Sequence, residues 1–391
     1  MQKQMFQKFF NKLKGTFAVT FWDGTTEQYG GGTPTFRLEF HKKIPISELL
    51  KDPALALGEA YMDRDIEIHG DIDEVIKILN DNKESFRQKQ NRPALAKLIP
   101  DRLRLTPLRK NQADVSYHYD LGNDFFSLWL DDTMSYSCAY FHKPGDSLRQ
   151  AQEQKLEHTL KKLQLHPGET LLDIGSGWGN LILRAAQNYK VKATGITLSR
   201  EQYQETLNRI KKLGLTGQVD VALMDYRQLA HTGRTFDKIA SIGMFEHVGR
   251  VNYPQFMLSL KKLLEEGGLA LLHTITHTKE SPVNSWTTKY IFPGGYIPSL
   301  REVIWLLPEY DFHVIDVESL RMHYAMTLDR WLAGFEKKVD QIREKYGERF
   351  VRMWRLYLSS SAASFRVSGL NVHQILFSRG LNNKLPLTRQ H

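Results

Sequence analysis

Four residues that follow one apolar stretch have the types and spacing to bind a nucleoside. Asp173 lies near the end of a strand-like run, and Gly175, Gly177 and Gly179 form a tight turn before a helical pattern begins. Glycines permit backbone torsions and close ligand approach that a Cβ would block, and the helix start presents unpaired N–H groups. Asn180 replaces the third glycine of the dinucleotide fingerprint, so the spacing favours S-adenosylmethionine (SAM) over NAD. A plain strand-to-helix turn is the alternative for this loop taken alone.

Polar residues also follow the later strand patterns. They are Thr197 at the end of the second strand, Asp225 after the third, residues 243–247 after the fourth and residues 273–275 at the end of the fifth. In a parallel sheet, ligands bind beyond the carboxyl ends of the strands, so these residues are expected to meet at one edge. Most seven-stranded methyltransferases, and NAD enzymes too, carry an acid where Thr197 stands. Gln202 can donate and accept hydrogen bonds instead, and the missing acid counts further against NAD.

The elements that would position these residues alternate between strands and helices, which predicts a parallel sheet. A helix is expected at 148–165, a second one at 199–213 with a serine cap, and a long helical insertion at 328–366. The seven expected strands are 170–174, 191–198, 219–224, 236–242, 269–275, 313–318 and 372–377. We therefore predict an α/β fold: a doubly wound, Rossmann-like sheet of the class I methyltransferase type with helical insertions.

The amino-terminal part predicts a small α+β domain. The expected strands are 17–22 and 35–40, and the expected helices are 45–50, 54–62 and 71–79, with Ser47 and Asp71 as capping candidates. The basic, proline-punctuated stretch 91–108 indicates a linker. We place the domain boundary near residue 110, which gives domains at 1–110 and 111–391.

The composition is that of a globular protein. Hydrophobic residues make up 41% and charged residues 25% of the chain, and no apolar run approaches the ~20 residues that span a bilayer. The first residues lack the apolar segment and cleavage site of a secretory signal, so export is not expected. Cys138 is the only cysteine, which fits a reducing cytoplasm and excludes thiolate-rich metal sites.

The formal net charge of +9 favours a polyanionic partner. Residues 1–14 hold four lysines and no acid, interleaved with Phe6, Phe9, Phe10 and Leu13 as in an interfacial amphipathic helix, and residues 87–110 form a second basic cluster. Each cation near an anionic leaflet contributes about 1 kcal/mol. We expect peripheral association with the inner face of an anionic cell membrane; a solvated basic face is the alternative. No sequence pattern supports reading of a nucleic acid.

Several segments together resemble the cyclopropane-fatty-acyl-phospholipid synthase family. The resemblance rests on residues 117–126, the run from Tyr136 to Phe141, the glycine loop, the run from Gly243 to Gly249, His273 to Ile275, residues 290–299, and Tyr324. It covers residues 111–380 and is much weaker before them. It implies a SAM-dependent methyltransferase domain at 111–391 and an amino-terminal domain for membrane association or dimerisation, since family members are often homodimers.

The resemblance implies transfer of a methylene group from SAM to the cis double bond of an unsaturated acyl chain in a phospholipid. The resulting carbocation must be shielded from water and stabilised by aromatic faces. Candidates for this role are Tyr136, Tyr140, Phe141, Trp178, Phe245 and Tyr324. A bound bicarbonate serves as the base, and the ligands implied for it are Cys138, Glu246, His273, Ile275 and Tyr324. Cys138 and Ile275 are expected to contribute backbone groups.

The same family pattern assigns the SAM site. The implied residues are Tyr136, Ser137, Asp173, Gly175, Gly177, Thr197, Leu198, Gln202, Asp225, Tyr226 and Ile242. Asp173 has an alternative role in bracing the loop, and Asp225 and Tyr226 follow the third strand, where adenine is expected. His273 and His277 have a metal-ligand spacing, but His273 ends a strand pattern and no HExxH motif occurs, so no metal is expected.

Other functions remain open at this point. The nearest alternative is another SAM-dependent methyltransferase on the same scaffold, which adds a branch methyl to an alkene or methylates an amine. A lipid-binding scaffold without turnover and a nucleic-acid-binding protein are alternatives of other classes. The first of these would lack intact candidates at the SAM and bicarbonate positions, and the second predicts binding to DNA that weakens steeply with salt.

Overall fold

The computed structural model describes residues 2–82 and 121–389, and contacts between Cα atoms divide the chain into two compact units. The first unit comprises Met1–Pro100, Asn284–Ile291 and Leu328–Gly369, and the second comprises Asp101–Val283, Phe292–Thr327 and Leu370–His391. The boundary expected near residue 110 and the expected linker lie outside the described residues. The observed units differ from a single cut there, because two later segments group with the amino-terminal part.

A four-stranded sheet forms the centre of the first unit. Its strands are β1 (Phe17–Thr20), β2 (Thr26–Tyr29), β3 (Phe36–Phe40) and β4 (Ile66–Gly70) in the order β2-β1-β3-β4. The helices before residue 82 are α1 (Gln2–Phe10), α2 (Ile46–Lys51), α3 (Pro53–Met62) and α4 (Ile72–Asp81). Asp71 caps α4 as expected, but Ser47 caps nothing, because α2 already begins at Ile46 and Pro45 precedes it.

Helix α1 packs into the core of this unit. Phe6 and Phe10 are buried, and each forms aromatic contacts with Phe40. Two side chains expected on the membrane-facing side of an interfacial helix therefore belong to the protein interior, so that expectation is wrong for Phe6 and Phe10. Lys8 and Lys12 remain exposed on the same helix and just after it.

The two later segments complete the first unit. Gly58 of α3 lies so close to Trp286 that a Cβ on Gly58 would approach the indole within 2.3 Å. Arg352 Nη1 contacts Glu67 Oε1 at 2.8 Å, and Arg366 Nη1 contacts Asp73 Oδ1 at 2.9 Å. The helices of these segments are α11 (Ser285–Tyr290), the later part of α13 (Arg321–Lys337), α14 (Val339–Tyr346) and α15 (Glu348–Val367). The helical insertion expected at 328–366 thus consists of the later part of α13, α14 and α15.

A seven-stranded sheet forms the centre of the second unit, which confirms the expected fold class. Its strands are β5 (Thr170–Ile174), β6 (Lys192–Thr197), β7 (Val219–Leu223), β8 (Phe236–Ile242), β9 (Leu264–His277), β10 (Phe312–Ser319) and β11 (Leu370–Arg379). The order is β10-β11-β9-β8-β5-β6-β7. Strands β5 to β9 pair in parallel, whereas β11 runs antiparallel to both of its neighbours. The carboxyl ends of the five parallel strands therefore meet at one edge.

Helices connect and cover these strands. They are α5 (Gly122–Ser127), α6 (Leu148–Lys162), α7 (Asn180–Tyr189), α8 (Arg200–Lys212), α9 (Tyr226–Leu229), α10 (Tyr253–Leu263), α12 (Leu300–Leu306) and the start of α13. Ser199 caps α8, and its side chain accepts a hydrogen bond from the Gln202 N–H, as expected. Within the described ranges, none of the helices combines the length and apolar content that crossing a bilayer requires.

Candidate functional site

The glycine loop after β5 is fastened to the neighbouring strand. The N–H groups of Gly175 and Ser176 both donate to the Ile196 carbonyl, at 2.9 and 3.0 Å. Gly177 has a φ of 55°, and an added Cβ there would meet no atom within 4 Å, so this residue leaves open space. A Cβ on Gly179 would instead approach Thr206 within 2.6 Å. The loop thus combines close packing against α8 with an open face.

That open face is part of a cavity at the carboxyl edge of the sheet. All of the residues expected to bind SAM line this one cavity: Tyr136, Ser137, Asp173, Gly175, Gly177, Thr197, Leu198, Gln202, Asp225, Tyr226 and Ile242. They come from β5, β6 and β8, from the segments that follow β5, β6 and β7, and from the segment before α6. The sheet therefore assembles the set, although its members are up to about a hundred residues apart.

The end of β6 carries a hydrogen-bonded pair in place of an acid. The Thr197 hydroxyl donates to Gln202 Oε1 at 2.8 Å and accepts from the Ser199 N–H at 3.2 Å. The Gln202 amide nitrogen makes no hydrogen bond within the described part of the chain. Gln202 therefore presents a donor to the cavity, and Thr197 fixes its orientation.

The acid that follows β7, Asp225, is already paired with an arginine. Asp225 caps α9, and its carboxylate accepts from the Arg227 side chain at 2.8 Å through Nε and 2.9 Å through Nη2. Its carboxylate thus already has a cation, which gives Asp225 a structural role at the cavity wall. The Tyr226 hydroxyl is buried and has no hydrogen-bond partner in the described residues, and burial raises the pKa of this phenol.

Asp173 is the buried acid beneath the glycine loop. It is 3% exposed, and its Oδ1 has no hydrogen-bond partner among the residues described. Burial raises the pKa of Asp173 to about 7, and the charge of Lys155 opposes this shift. Asp173 does not brace the loop through Oδ1, so a polar group entering the cavity would find an acceptor there.

Glu246 lies just after β8, in a short 3-10 helix (Phe245–His247). The Ile275 N–H donates to Glu246 Oε1 at 2.6 Å, whereas Oε2 is buried with no partner in the described ranges. The residue as a whole keeps some exposure, but its carboxylate is enclosed, and burial raises the pKa of Glu246 to about 7. Ile275 is expected to offer a backbone group to the ion, and its N–H is already taken up by Glu246.

His273 is held next to this pair by the sheet. It pairs in register with Ile242, and its carbonyl accepts from the Gly243 N–H at 2.8 Å. Burial, with the charges of Lys155 and Lys162, lowers the pKa of His273 to about 3. The Gln374 amide nitrogen lies 3.2 Å from Nδ1, and with this amide as the donor the neutral ring carries its hydrogen on Nε2. His273 is thus a neutral hydrogen-bond donor.

Cys138 and Tyr324 are linked to the same region through the backbone. The Cys138 thiol is buried and contacts the Leu320 carbonyl at 3.9 Å, and burial raises its pKa. The Leu320 N–H donates to the Val372 carbonyl at 2.7 Å, and Val372 pairs with Ile275. Tyr324 lies in the first turn of α13, where its N–H donates to Leu320. Cys138 is therefore a neutral thiol and not an activated nucleophile.

The expected aromatic set is only partly available. Tyr136 and Trp178 line the cavity. Tyr140 stacks on His158 at 4.0 Å and on His323 at 4.7 Å, so its ring is already engaged by two imidazoles. Phe245 stacks on Tyr253 at 4.2 Å. We therefore remove Tyr140 from the candidates for stabilising a cation.

The sequence reasoning missed Lys155, which also lines the cavity. It lies on α6, and its ammonium donates to the Ser137 hydroxyl at 3.0 Å. A signal was present: Gln152, Lys155, Thr159 and Lys162 recur at helical spacing and are all buried. A buried polar stripe on a helix indicates a network or a ligand, because isolated polar groups are costly to bury.

Comparisons with known proteins agree with this geometry. The family model described as mycolic acid cyclopropane synthetase matches residues 106–375, and a domain of unknown function matches residues 1–91. A probable fatty acid methyltransferase from Pseudomonas putida is 39% identical over 94% of this chain and 94% of its own. The cyclopropane-fatty-acyl-phospholipid synthase of Escherichia coli K12 is 38% identical over 90% of this chain and 88% of its own.

Solved structures give the same result for the second unit's fold. The cyclopropane synthase MmaA2 from Mycobacterium tuberculosis matches with a TM-score of 0.65 and 34% identity, over 70% of this chain and 99% of its own. The mycolic acid cyclopropane synthase CmaA1, solved in complex with SAH and CTAB, matches with a TM-score of 0.64 and 35% identity over the same shares.

Proposed function

The chain belongs to the mycolic acid cyclopropane synthetase family and is a SAM-dependent methyltransferase, and from that premise we propose that it converts cis double bonds of phospholipid acyl chains into cyclopropane rings. The observation that carries the proposal is the enclosed Glu246 carboxyl, hydrogen-bonded to Ile275 and next in the chain to the cavity wall. The Escherichia coli relative, whose name states this substrate class, is similar over nearly the whole chain.

The cavity has groups that suit SAM. Gly177 leaves room for the ligand, Gln202 offers an amide donor, and Asp173 and Tyr226 keep buried polar atoms without a partner in the described residues. A sulfonium cofactor supplies an electrophilic methyl group. The residues of this chain bind and orient it, and positioning alone can supply several kcal/mol to a reaction with a weak nucleophile such as an alkene.

The enclosed Glu246 carboxyl, with Ile275 and His273 beside it on β9, suits a small oxyanion such as bicarbonate. We propose that Glu246 Oε2 accepts the hydrogen of this ion when the carboxyl is ionised and donates its own when it is protonated, and that His273 Nε2 and the Tyr324 hydroxyl donate to the ion. With a pKa of about 7, Glu246 holds a proton part of the time near neutral pH, which limits repulsion between two anions. Bicarbonate would supply the base for ring closure, and the enclosure of Glu246, His273 and Cys138 excludes water that would otherwise yield an alcohol.

We test this function with liposomes of a monounsaturated phospholipid, SAM and the purified full-length chain. The expected product is an acyl chain fourteen mass units heavier that resists hydrogenation. A heavier chain that still takes up hydrogen would indicate branch methylation, and a methylated amine with unchanged lipid would indicate the other methyltransferase activity. Either outcome overturns the proposal, and so does the absence of any product when SAH still binds.

We also propose that the enzyme acts at the inner face of the cell membrane and binds anionic lipid through exposed lysines. Phe6 and Phe10 are buried and only Phe9 of the expected phenylalanines is exposed, so we assign the attraction mainly to charge, with Lys8 and Lys12 as exposed candidates. Lys8→Glu/Lys12→Glu should reduce co-sedimentation with anionic liposomes. The matched control is Lys211→Glu/Lys212→Glu on α8, which makes the same charge change elsewhere.

Equal loss of binding in both double variants would contradict a specific role for the amino-terminal lysines. A homodimer is part of the same proposal, and light scattering of the purified chain tests it: a monomer mass at micromolar concentration would contradict it.

A further inference from the structure

Lys155 is a buried cation at the wall of the cavity that no part of the proposed chemistry yet uses. It is 3% exposed, and its ammonium donates to Ser137 Oγ at 3.0 Å. In the described part of the chain, no carboxylate lies within 4.0 Å of this ammonium. Lys162, also buried on α6, contacts Asp316 Oδ2 at 3.2 Å and has Glu318 as a second partner. Lys162 thus has carboxylate counter-ions, whereas Lys155 has none within this distance among the described residues.

A buried ammonium without a counter-ion is costly, and folded proteins seldom keep one without a use for it. Burial lowers the pKa of Lys155 to about 8, so the group is still mostly protonated at neutral pH. Its charge acts on Asp173, Cys138 and His273, which lie around it. The cavity therefore has a fixed positive charge that would be stabilised by an anionic ligand group.

The position of Lys155 along the sheet indicates which ligand group that is. Helix α6 lies over the β10 and β11 side, where Thr159 is 3.4 Å from Gln374 and Lys162 contacts Asp316. Asp225 and Tyr226 follow β7, at the other end of the strand order. If adenine binds beside β7, as the proposed function requires, the amino-acid end of SAM extends toward β8 and α6. The only anionic group of SAM is the carboxylate at that end.

We propose that Lys155, held in place by the Ser137 hydroxyl, binds the carboxylate of the methionine part of SAM. Lys155 is then a cofactor-binding residue that selects an amino-acid nucleoside over a nucleoside lacking the carboxylate. This inference rests on the proposed function, because it needs the nucleoside to occupy the cavity in the stated direction.

The test measures ligand affinity by calorimetry with the full-length chain. The ligands are SAH, which has the carboxylate, and 5′-methylthioadenosine, which lacks the whole amino-acid part. In Lys155→Met, SAH binding should weaken at least about 10-fold, as expected for loss of a charge-assisted hydrogen bond. Binding of 5′-methylthioadenosine should change less than about 2-fold, because its remaining contacts lie at the β6 and β7 end. Lys155→Arg, which keeps the charge, should bind SAH better than Lys155→Met does.

Equal weakening for both ligands would overturn the inference and give Lys155 a role in shaping the cavity. Unchanged SAH affinity would overturn it as well. If Lys155→Met does not fold, the wild-type chain still decides: decarboxylated SAH should bind it at least about 10-fold more weakly than SAH, and equal affinity would overturn the inference. A wild-type chain that binds none of these nucleosides refutes the proposed function itself, whereas the other outcomes leave that function standing.

Discussion

Replacing Glu246 by glutamine removes an ionisable group from an enclosed position and keeps its shape. The glutamine oxygen can still accept from the Ile275 N–H, which lies 2.6 Å from Oε1 in the wild-type chain. The substitution therefore tests the ionisation of the carboxyl more than its packing. It should leave SAH binding intact, because Glu246 is not part of the cavity lining, and it should abolish product formation.

The magnitude follows from the raised pKa of Glu246. Burial raises this pKa from 4.5 to about 7, so the folded chain binds the proton more tightly than the unfolded chain does. Wild-type stability therefore falls as pH rises from about 4.5 to about 7, by about 3 kcal/mol in total. At pH 5 the loss is about 1 kcal/mol, and at pH 8 it is nearly complete. Between pH 5 and pH 8, the free energy of unfolding of Glu246→Gln should therefore rise by about 2 kcal/mol relative to that of wild type.

Differential scanning calorimetry at the two pH values measures this change. The unfolding transition whose Tm rises on addition of SAH is that of the unit with the cavity. For this transition, the gain corresponds to a change of about 4–8 °C in the Tm difference between Glu246→Gln and wild type. Bicarbonate-free buffer keeps ion binding out of the comparison. The matched control is Glu265→Gln, an exposed acid on β9, which makes the same substitution at the protein surface. A Tm difference between Glu246→Gln and wild type that stays constant from pH 5 to pH 8 would refute the reasoning.

Two further predictions concern the cavity and the histidine. Gly177→Ala and Gly217→Ala should each lower the free energy of unfolding by about 1–2 kcal/mol, because both positions have a positive φ with no atom near an added Cβ. Only Gly177→Ala should also weaken SAH binding, by at least about 10-fold. Calorimetry that shows equal SAH affinities for the two variants would contradict this. The Tm of His273→Gln should fall less than the wild-type Tm between pH 7 and pH 5. Burial lowers the His273 pKa from 6.5 to about 3, so the unfolded wild-type chain takes up a proton first, which costs wild type about 2 kcal/mol of unfolding free energy at pH 5. Parallel curves of Tm against pH would contradict this prediction.

The seven-stranded sheet was predictable because its strands carry strong apolar patterns between clear turn residues. In the first unit, 17–22 and 35–40 were recognised, but β2 and β4 were not. These two are the edge strands of their sheet, and β2 reads Thr-Glu-Gln-Tyr, with little apolar content to mark it. Edge strands often carry polar or charged side chains that discourage pairing with another chain, which hides β2 from hydrophobic periodicity. Strand β4 does alternate Ile66 and Ile68 with polar residues, but over only five residues.

The place of the cavity was predictable because strand ends in a parallel sheet meet at one edge, whereas the individual residues of the SAM site followed from the family resemblance. What each residue does there was harder to foresee. Asp225 has a suitable type and position for a ligand, yet Arg227 two residues on occupies its carboxylate. Lys155 was missed because its helix precedes the sheet and its long side chain reaches Ser137 only in the folded chain. Such pairings depend on tertiary contacts that spacing alone does not encode.

The first unit's assembly from separate segments has a consequence during protein synthesis. Gly58 faces Trp286, and Glu67 and Asp73 pair with Arg352 and Arg366, so this unit is incomplete until about residue 369 has emerged. At roughly 5–20 residues per second, the ribosome takes on the order of tens of seconds to add the missing segments. The core of the amino-terminal sheet lies within residues 6–78, but over that interval the surfaces of α3 and α4 that the later segments cover stay exposed on the nascent chain, and we expect cotranslational chaperones to bind there.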